Sequence, residues 1–431
     1  VREEALTKRI AQEMSRESLN SRILLFLESL KRLTLEDRST GKKRDIRRVK
    51  LGDGLCELQE TTEEGVSKER WVVFSSHLLD VPDNVRSDWF TKNWDRDKAR
   101  HRAVSIAFKL TEKGDLEVVQ GTLHMGVFSY LPVREEHSRL KFLVHADFLT
   151  SIGRTRLHEE APWNEWLAKE VLTLVEKEAE SLLNHLEWKR NAMTVLWPQD
   201  SEASDFFAVH VERPLVDHLR NEVKLPAYDG TKVTPPQALY IDDPEMCKVV
   251  SPADLERLYG RKPLEQGVEV PSVRLGPDIV QRMPVLPLFL SYPQGEELLT
   301  DKAAKRDIPF FKLLYKSLAS IDWASSIYRR TLPSYSRVVL AGDWTVARPQ
   351  DVFFRPQQMP QAVEAKFKFV HPDIANDEGS RRFLALLDVK ELSQTQIKEA
   401  MVQGVVPEIR KTWVTAQVPW AMKGRAGGVR L

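Results

Sequence analysis

Two closely spaced arginines, Arg154 and Arg156, are side chains suited to chemistry on a phosphate. They lie in the segment TSIGRTR, residues 150–156. A guanidinium group is planar and permanently charged, and its donors form a fork that matches phosphate oxygens. The alternative is a surface loop with two solvated arginines, since exposed arginine is common. If Arg154 instead acts on a phosphate, it contributes to chemistry rather than to the fold, and its truncation should change the free energy of unfolding by about 0.5 kcal/mol or less.

A second group of basic residues lies in RSTGKKRDIRRVK, residues 38–50. Clustered cations can bind the phosphates of a nucleic acid. We favour a solvated hairpin loop instead, because no aromatic residues are interleaved to stack on bases. The candidate contact residues are Lys42, Lys43, Arg44, Arg47 and Arg48.

Aromatic and basic residues alternate between Asp80 and Arg102, in DVPDNVRSDWFTKNWDRDKARHR. Interleaved aromatics and cations are typical of surfaces that bind single-stranded nucleic acid, and a partner-binding surface has the same composition. The interpretation that we favour is a charged helix with its tryptophans buried, since tryptophan is usually largely buried. The candidate contact residues are Trp89, Trp94, Arg96 and Arg100.

Sequence motifs for nucleotide binding, metal binding and acyl transfer are absent. The chain has no GxxxxGK[ST], GxGxxG or GxSxG. Its ten histidines show neither HExxH nor a paired metal-ligand spacing. Asp147, Glu159 and Glu160 are better explained as turn and helix-start residues than as an acid pair, because acidic side chains favour a helix N-terminus. We therefore expect this chain by itself to hold no cofactor or metal and to hydrolyse nothing.

The composition is that of a multidomain globular protein. Of 431 residues, 42% are hydrophobic and 29% charged, and the net charge of +1 gives no general attraction to nucleic acid or acidic membranes. Two cysteines cannot form a disulfide framework, which indicates a reducing compartment. No apolar run approaches the ~20 residues of a membrane span, and no signal peptide is evident. We predict a cytoplasmic location without membrane contact. The charged helical pattern of residues 1–20, which opens on Val1, predicts the end of an upstream domain.

The elements around the arginine loop predict an α+β fold. The apolar run from Val127 to Leu131 indicates a buried strand, and residues 140–146 alternate as a second strand. A long amphipathic helix begins near Trp163 and places Trp163 and Trp166 on one face. With strands predicted in residues 33–120, this gives a mostly antiparallel sheet of about five or six strands covered by the helix. We assign residues 21–190 to this domain.

Two weakly similar units follow in a mixed α+β region. Residues 191–290 contain the first unit and a proline-rich linker, and residues 291–431 contain a helical segment and the second unit. Each unit is predicted as a turn, a short strand, a proline-containing turn and another strand. Such repeats stack more often than they catalyse. The matches place Val233, Pro236, Gln237, Leu239 and Tyr240 against Val346, Pro349, Gln350, Val352 and Phe353, and Val249–Pro252 against Phe369–Pro372.

The order of motifs in the first half resembles the sacsin-like branch of the GHKL ATPases. The sequences YLP, HADF and WNEWL occur in that order, with the arginine loop between the last two. The resemblance implies a middle-type domain behind an ATP-binding domain like that of the ninety-kilodalton heat-shock chaperones. It also implies that Arg154 reaches ATP and completes the ATPase site, with ATP and Mg²⁺ bound by that other domain. The acidic residue usual after this arginine is replaced by Thr155, and Arg156 lies nearby, so either arginine is a candidate.

The resemblance predicts the transducer part of an ATP-driven conformational machine. ATP-dependent closure of an upstream domain would be relayed to a partner or client protein. The longer protein would then be an ATPase, although this chain alone would not. The alternative is a non-catalytic module that binds nucleic acid or protein within a larger assembly of the defence or restriction type.

Overall fold

The computed structural model describes residues 20–27, 29–38, 41–52, 54–119, 126–136, 138–199, 205–271, 278–321, 336–357, 359 and 364–402. Helices and strands both occur throughout this part of the chain, which confirms the predicted α+β class. The contacts divide the chain into two compact units. The first comprises residues 1–240 and 262–281, and the second comprises residues 241–261 and 282–431.

The first unit is built on an eight-stranded sheet with the spatial order β1-β2-β3-β4-β7-β10-β8-β9. All neighbouring strands are antiparallel except β10 and β8. A separate pair, β5 and β6, lies beside it. The bounds are β1 Arg32–Glu36, β2 Lys43–Gly52, β3 Leu55–Thr62, β4 Gly65–Ser75, β5 Leu79–Asp80, β6 His101–Arg102, β7 Ser105–Leu110, β8 Val127–Ser129, β9 Leu131–Pro132 and β10 Leu143–His145.

Two helices cover opposite faces of this sheet because successive strand residues point to opposite sides. The short helix α1, Ile23–Phe26, packs on a face that includes Ile46, Trp71 and Leu143. The helices that follow in the first unit include α2 Asp83–Ser87, α3 Trp89–Asn93, α4 Pro162–Asn184, α5 Ala192–Leu196, α6 Asp205–Phe207 and α7 Arg213–Asn221, with a π-helical turn at Ala208–Glu212. Helix α4 belongs to the larger core on the other face.

Helix α4 confirms the strongest expectation from hydrophobic periodicity. Pro162 occupies its first turn, where the missing backbone N–H costs no hydrogen bond. Trp163 and Trp166 are buried and their rings make an edge-to-face contact at 5.7 Å. The Trp163 indole also donates a hydrogen bond to the carbonyl of Asp147 at 2.8 Å. The helix is therefore fixed to the chain segment that leads into the arginine loop.

Several predicted elements differ in the structure. The basic stretch is not a solvated hairpin loop, since residues 43–52 form strand β2, and the sheet has eight strands rather than five or six. The Trp-rich segment is not one helix with buried tryptophans. It forms helices α2 and α3, and Trp89 is 68% exposed, whereas Trp94 is partly buried against the core.

The two predicted repeats adopt the same local structure. In the first repeat, β11 Leu225–Pro226 and β12 Lys232–Val233 form a hairpin, and a 3₁₀ turn spans Pro235–Gln237. Strand β13 Ala238–Tyr240 then pairs in parallel with β14 Lys262–Pro263. In the second repeat, β15 Val339–Leu340 and β16 Val346–Ala347 form the hairpin, the 3₁₀ turn spans Pro349–Asp351, and β17 Val352–Phe353 pairs in parallel with β18 Lys368–Phe369.

The same three residue types, an aspartate, a threonine and a lysine, hold the hairpin turn in each repeat. In the first copy Asp229 accepts hydrogen bonds from the backbone and hydroxyl of Thr231, and the Lys262 ammonium contacts both side chains. The second copy uses Asp343, Thr345 and Lys368 in the same way.

This correspondence corrects the predicted alignment by one position. Lys232–Val233 matches Val346–Ala347, and Pro235 rather than Pro236 matches Pro349. The second predicted echo is not equivalent in space. Residues 249–252 connect two helices that lie in sequence between β13 and β14, whereas residues 369–372 connect the second strand of the parallel pair to the helix that follows it.

Beyond the repeat, the second unit is mainly helical. Its core includes Tyr315, whose hydroxyl donates to the carbonyl of Val338 and accepts from the backbone N–H of Leu340. The helix bounds are α8 Pro244–Val249, α9 Pro252–Tyr259, α10 Leu286–Phe289, α11 Pro293–Ala304, α12 Ile308–Ala319, α13 Pro372–Ala375 and α14 Glu378–Leu386. Helix α10 lies inside the predicted proline-rich linker, so that segment is partly structured.

Candidate functional site

The arginine loop is a tight hairpin between strand β10 and helix α4. Thr150 and Leu157 form its base as an antiparallel bridge, and the backbone N–H of Ser151 donates to the carbonyl of Arg156 at 2.9 Å. Ile152 at the tip is 99% exposed. An apolar side chain that projects from a closed turn in this way is available for contact with another surface.

The two arginines of this loop have different surroundings. Arg154 adopts a left-handed backbone conformation, with φ of 51°, and its Nη1 donates to the carbonyl of Ser129 at 2.6 Å. It is half-buried, so the expectation of a solvated side chain is wrong for this residue. Arg156 is exposed, and its Nε lies 3.2 Å from a carboxylate oxygen of Glu135, which is also exposed. Such surface pairs stabilise a fold little.

Asn164 in the first turn of α4 holds the base of the loop. Its amide oxygen accepts from the N–H of Leu149 at 2.8 Å, and its Nδ2 donates to the carbonyls of Leu149 and His158 at 2.8 and 2.9 Å. Asn164 is completely buried. Both strands of the loop are thereby joined to the helix by a side chain that the sequence argument did not select.

Asp147 is a buried carboxylate between the loop and the Trp-rich segment. Arg96 Nη2 lies 3.0 Å from one of its oxygens, and Arg102 Nε lies 2.7 Å from the other. The Arg102 guanidinium also lies over the Trp163 ring at 5.4 Å. Asp147 is therefore a structural ion-pair partner that fixes Arg96, one of the residues predicted to contact nucleic acid.

A cleft of about 610 Å³ opens at one end of the sheet, on the face that carries α1. Its lining includes the cations Arg48, Lys50 and Arg102, the hydroxyls of three serines, and the rings of Tyr130 and His145. Arg154 does not line it, but its guanidinium binds the carbonyl of Ser129, the residue that precedes Tyr130. The arginine loop is thus attached to one wall of the cleft.

Burial sets the protonation of two groups in the cleft. Desolvation lowers the pKa of His145 to about 4, so the ring is neutral at pH 7. Desolvation raises the pKa of Cys56 to about 11, which keeps the thiol protonated and unreactive. The positive charge of the cleft therefore comes from its arginines and lysine.

The predicted basic patch is divided between the two faces of strand β2. Lys43 and Arg47 point to one side, and Arg44 and Arg48 point to the other. Acidic or carbonyl groups engage most of them: Arg47 contacts Asp45, Arg44 contacts Glu60, and Arg48 donates to the carbonyls of Leu24 and Leu25. Lys42 is exposed in the turn that precedes the strand.

The predicted residues of the Trp-rich segment are also separated. Trp94 packs against the ring of His158 at 5.0 Å, whereas Trp89 and Arg100 are exposed. The described positions do not bring Trp89, Trp94, Arg96 and Arg100 into one stacking surface. Asn164 and Lys50 were missed by the sequence argument. A polar residue within the buried WNEWL face was the available signal for Asn164.

Within the described ranges, no cluster of three or more potential metal ligands occurs. In the same ranges, no helix combines the length and the apolar character needed to cross a bilayer.

Comparison with known proteins finds a short similarity. Over 148 residues the chain is 28% identical to the protein NO VEIN of Arabidopsis thaliana. This stretch is 33% of the chain and 5% of NO VEIN, so the chain spans a small fraction of that relative. No protein-family profile matches the chain. No solved structure matches it either.

Proposed function

We propose that this chain is the transducer region of a sacsin-like GHKL ATPase. In this proposal an ATP-binding domain elsewhere in the protein binds ATP and Mg²⁺, and Arg154 contributes a guanidinium group to the phosphates. Closure around ATP is then relayed to a partner or client protein. The catalytic machinery for nucleotide binding lies outside this chain, and the whole protein works in the cytoplasm.

The connection between the loop and helix α4 is the observation that carries the proposal. Asn164 hydrogen-bonds both strands of the loop, and the Trp163 indole binds the carbonyl of Asp147 just before it. A displacement at Arg154 therefore moves the start of a 23-residue helix instead of being absorbed in a flexible connection. A transducer requires this kind of stiff coupling between a ligand-contacting loop and a long element.

The local geometry is compatible with phosphate contact by the loop. The hydrogen bond from Arg154 to the carbonyl of Ser129 uses one of the five N–H donors of the guanidinium. The fully exposed Ile152 lies two residues before it and offers an apolar contact for the neighbouring domain. A guanidinium in a closed, water-poor site stabilises charge that develops on a transferring phosphoryl group.

The alternative function, nucleic-acid binding, has less support from the geometry. The basic side chains in residues 43–48 point to both faces of one strand, and carboxylates engage two of them, Arg44 and Arg47. A phosphate backbone is usually followed by cations that share one surface.

ATP hydrolysis by the full-length protein tests the proposal. We expect Arg154→Ala to lower turnover by about a hundredfold, with ATP affinity nearly unchanged, because the arginine acts mainly on the transition state. Arg156→Ala is the matched control from the same loop and should act weakly. The reverse order would assign the role to Arg156. Full activity of both single variants and of the double variant would refute an ATPase role for this loop.

A further inference from the structure

The cleft on the α1 face contains three chemically distinct zones. The strand pairings place Lys50 beside Cys56, Ser75 beside Ser105, and Ser105 beside His145. Cys56 pairs with Trp71, four residues before Ser75 on β4, so the lysine and the serines are offset along the strands as well as across them. Helix α1 joins the two ends, because Arg48 donates to the carbonyl of Leu25 and the next residue, Phe26, stacks on the His145 ring. The cations Arg48 and Lys50 lie at one end, hydroxyls in the middle, and aromatic rings at the other end.

The cationic end is arranged for an anion. Arg48 is held in place by the carbonyls of Leu24 and Leu25 at 2.7 and 3.2 Å. Lys50 is exposed, and within the described part of the chain no acidic side chain lies in ion-pair range of it. The carboxylate in the cleft, Asp147, is already engaged by two arginines. The cations of the cleft therefore outnumber its carboxylates.

The opposite end offers a surface for a planar ring. Tyr130 is 44% exposed, and its ring meets the His145 ring edge-to-face at 5.4 Å. His145 is in turn stacked on Phe26 at 4.9 Å, which fixes its orientation. The buried Nε2 of His145 has no hydrogen-bond partner among the described residues. A ring placed against Tyr130 would gain both stacking and a polar neighbour.

We propose that this cleft binds a small phosphorylated molecule that carries a planar ring, of the size and chemistry of a nucleoside monophosphate. Arg48 and Lys50 hold the phosphate, the serine hydroxyls face the middle of the ligand, and Tyr130 stacks on the ring. The volume of about 610 Å³ is in the range of small-molecule sites. The lining residues all belong to this chain, so ligand binding can be measured without the ATP-binding domain.

Equilibrium titration of the purified chain with AMP tests the proposal, with adenosine and inorganic phosphate as comparison ligands. We expect saturable binding of AMP and at least tenfold weaker binding of either fragment. Equal affinity for adenosine would refute phosphate recognition. Equal affinity for inorganic phosphate would refute ring recognition, and failure of AMP to bind would refute the site.

Two pairs of variants locate the site. Lys50→Ala should weaken AMP binding at least tenfold, since the charge-assisted hydrogen bond from the ammonium to the phosphate is lost. Lys43→Ala, an exposed lysine on the opposite face of the same strand, should leave it unchanged. Tyr130→Ala should weaken binding, and Tyr130→Phe should retain it because the ring is kept. Equal effects of the two lysine variants would overturn the assignment, and so would full affinity in Tyr130→Ala.

Discussion

Replacement of Asn164 by leucine is the sharpest test of how the arginine loop is held. The substitution keeps the number and branching of the side-chain heavy atoms and removes three hydrogen bonds, to the N–H and carbonyl of Leu149 and the carbonyl of His158. At about 1 kcal/mol net for each bond, the loss is about 3 kcal/mol. That is a large fraction of the roughly 5–15 kcal/mol that stabilises a typical domain.

Urea denaturation followed by circular dichroism measures this loss. Asn221→Leu is the matched control, because Asn221 is also helical but is exposed and donates one bond, to the carbonyl of Asp217. We expect the control to change the free energy of unfolding by no more than about 0.5 kcal/mol. If Asn164→Leu unfolded at the same urea concentration as the control, Asn164 would not anchor the loop.

Three further predictions follow from buried or repeated groups. Trp163→Ala should cost about 3–5 kcal/mol, whereas Trp89→Ala should be nearly neutral; equal denaturation midpoints would contradict the assigned burial. Burial lowers the pKa of His145 from 6.5 to about 4, so the folded protein favours the neutral ring. The contribution of His145 to the free energy of unfolding is therefore fully present above pH 6.5, and about 3 kcal/mol of it is lost as the pH drops to 4. His145→Gln should flatten that fall, and an unchanged pH profile would refute it. Asp229→Ala and Asp343→Ala should both lower the melting temperature of the unit that contains them, and an effect in one copy alone would argue against equivalent turns.

The long helix and its buried tryptophans were predictable because their signal is local. A 3.6-residue apolar period from Trp163 onward specifies one buried face, and the structure buries it. Strand β2 was missed for the opposite reason. Its charged side chains occupy both faces of the strand. Asp45 and Glu60 form ion pairs with Arg47 and Arg44, and the pairing across the sheet becomes evident only when the strand register is known.

The site shows the same division between local and long-range information. The loop containing Arg154 was evident from Gly153 and the flanking elements, but its bond to Ser129 spans 25 residues and its left-handed backbone leaves no sequence signature. The repeats were found with an alignment shifted by one residue. The spacing D-x-T-x-x-x-P, which begins at Asp229 and again at Asp343, would have fixed the register.

Hydrogen exchange in the full-length protein most directly tests the relay from ATP to helix α4. With a non-hydrolysable ATP analogue, the account predicts slower exchange both in residues 150–157 and in α4, Pro162–Asn184. In Arg154→Ala the analogue should still bind, but the protection of both segments should be lost. Protection of α4 that is the same in the parent protein and in Arg154→Ala, or that is absent from both, would contradict the account.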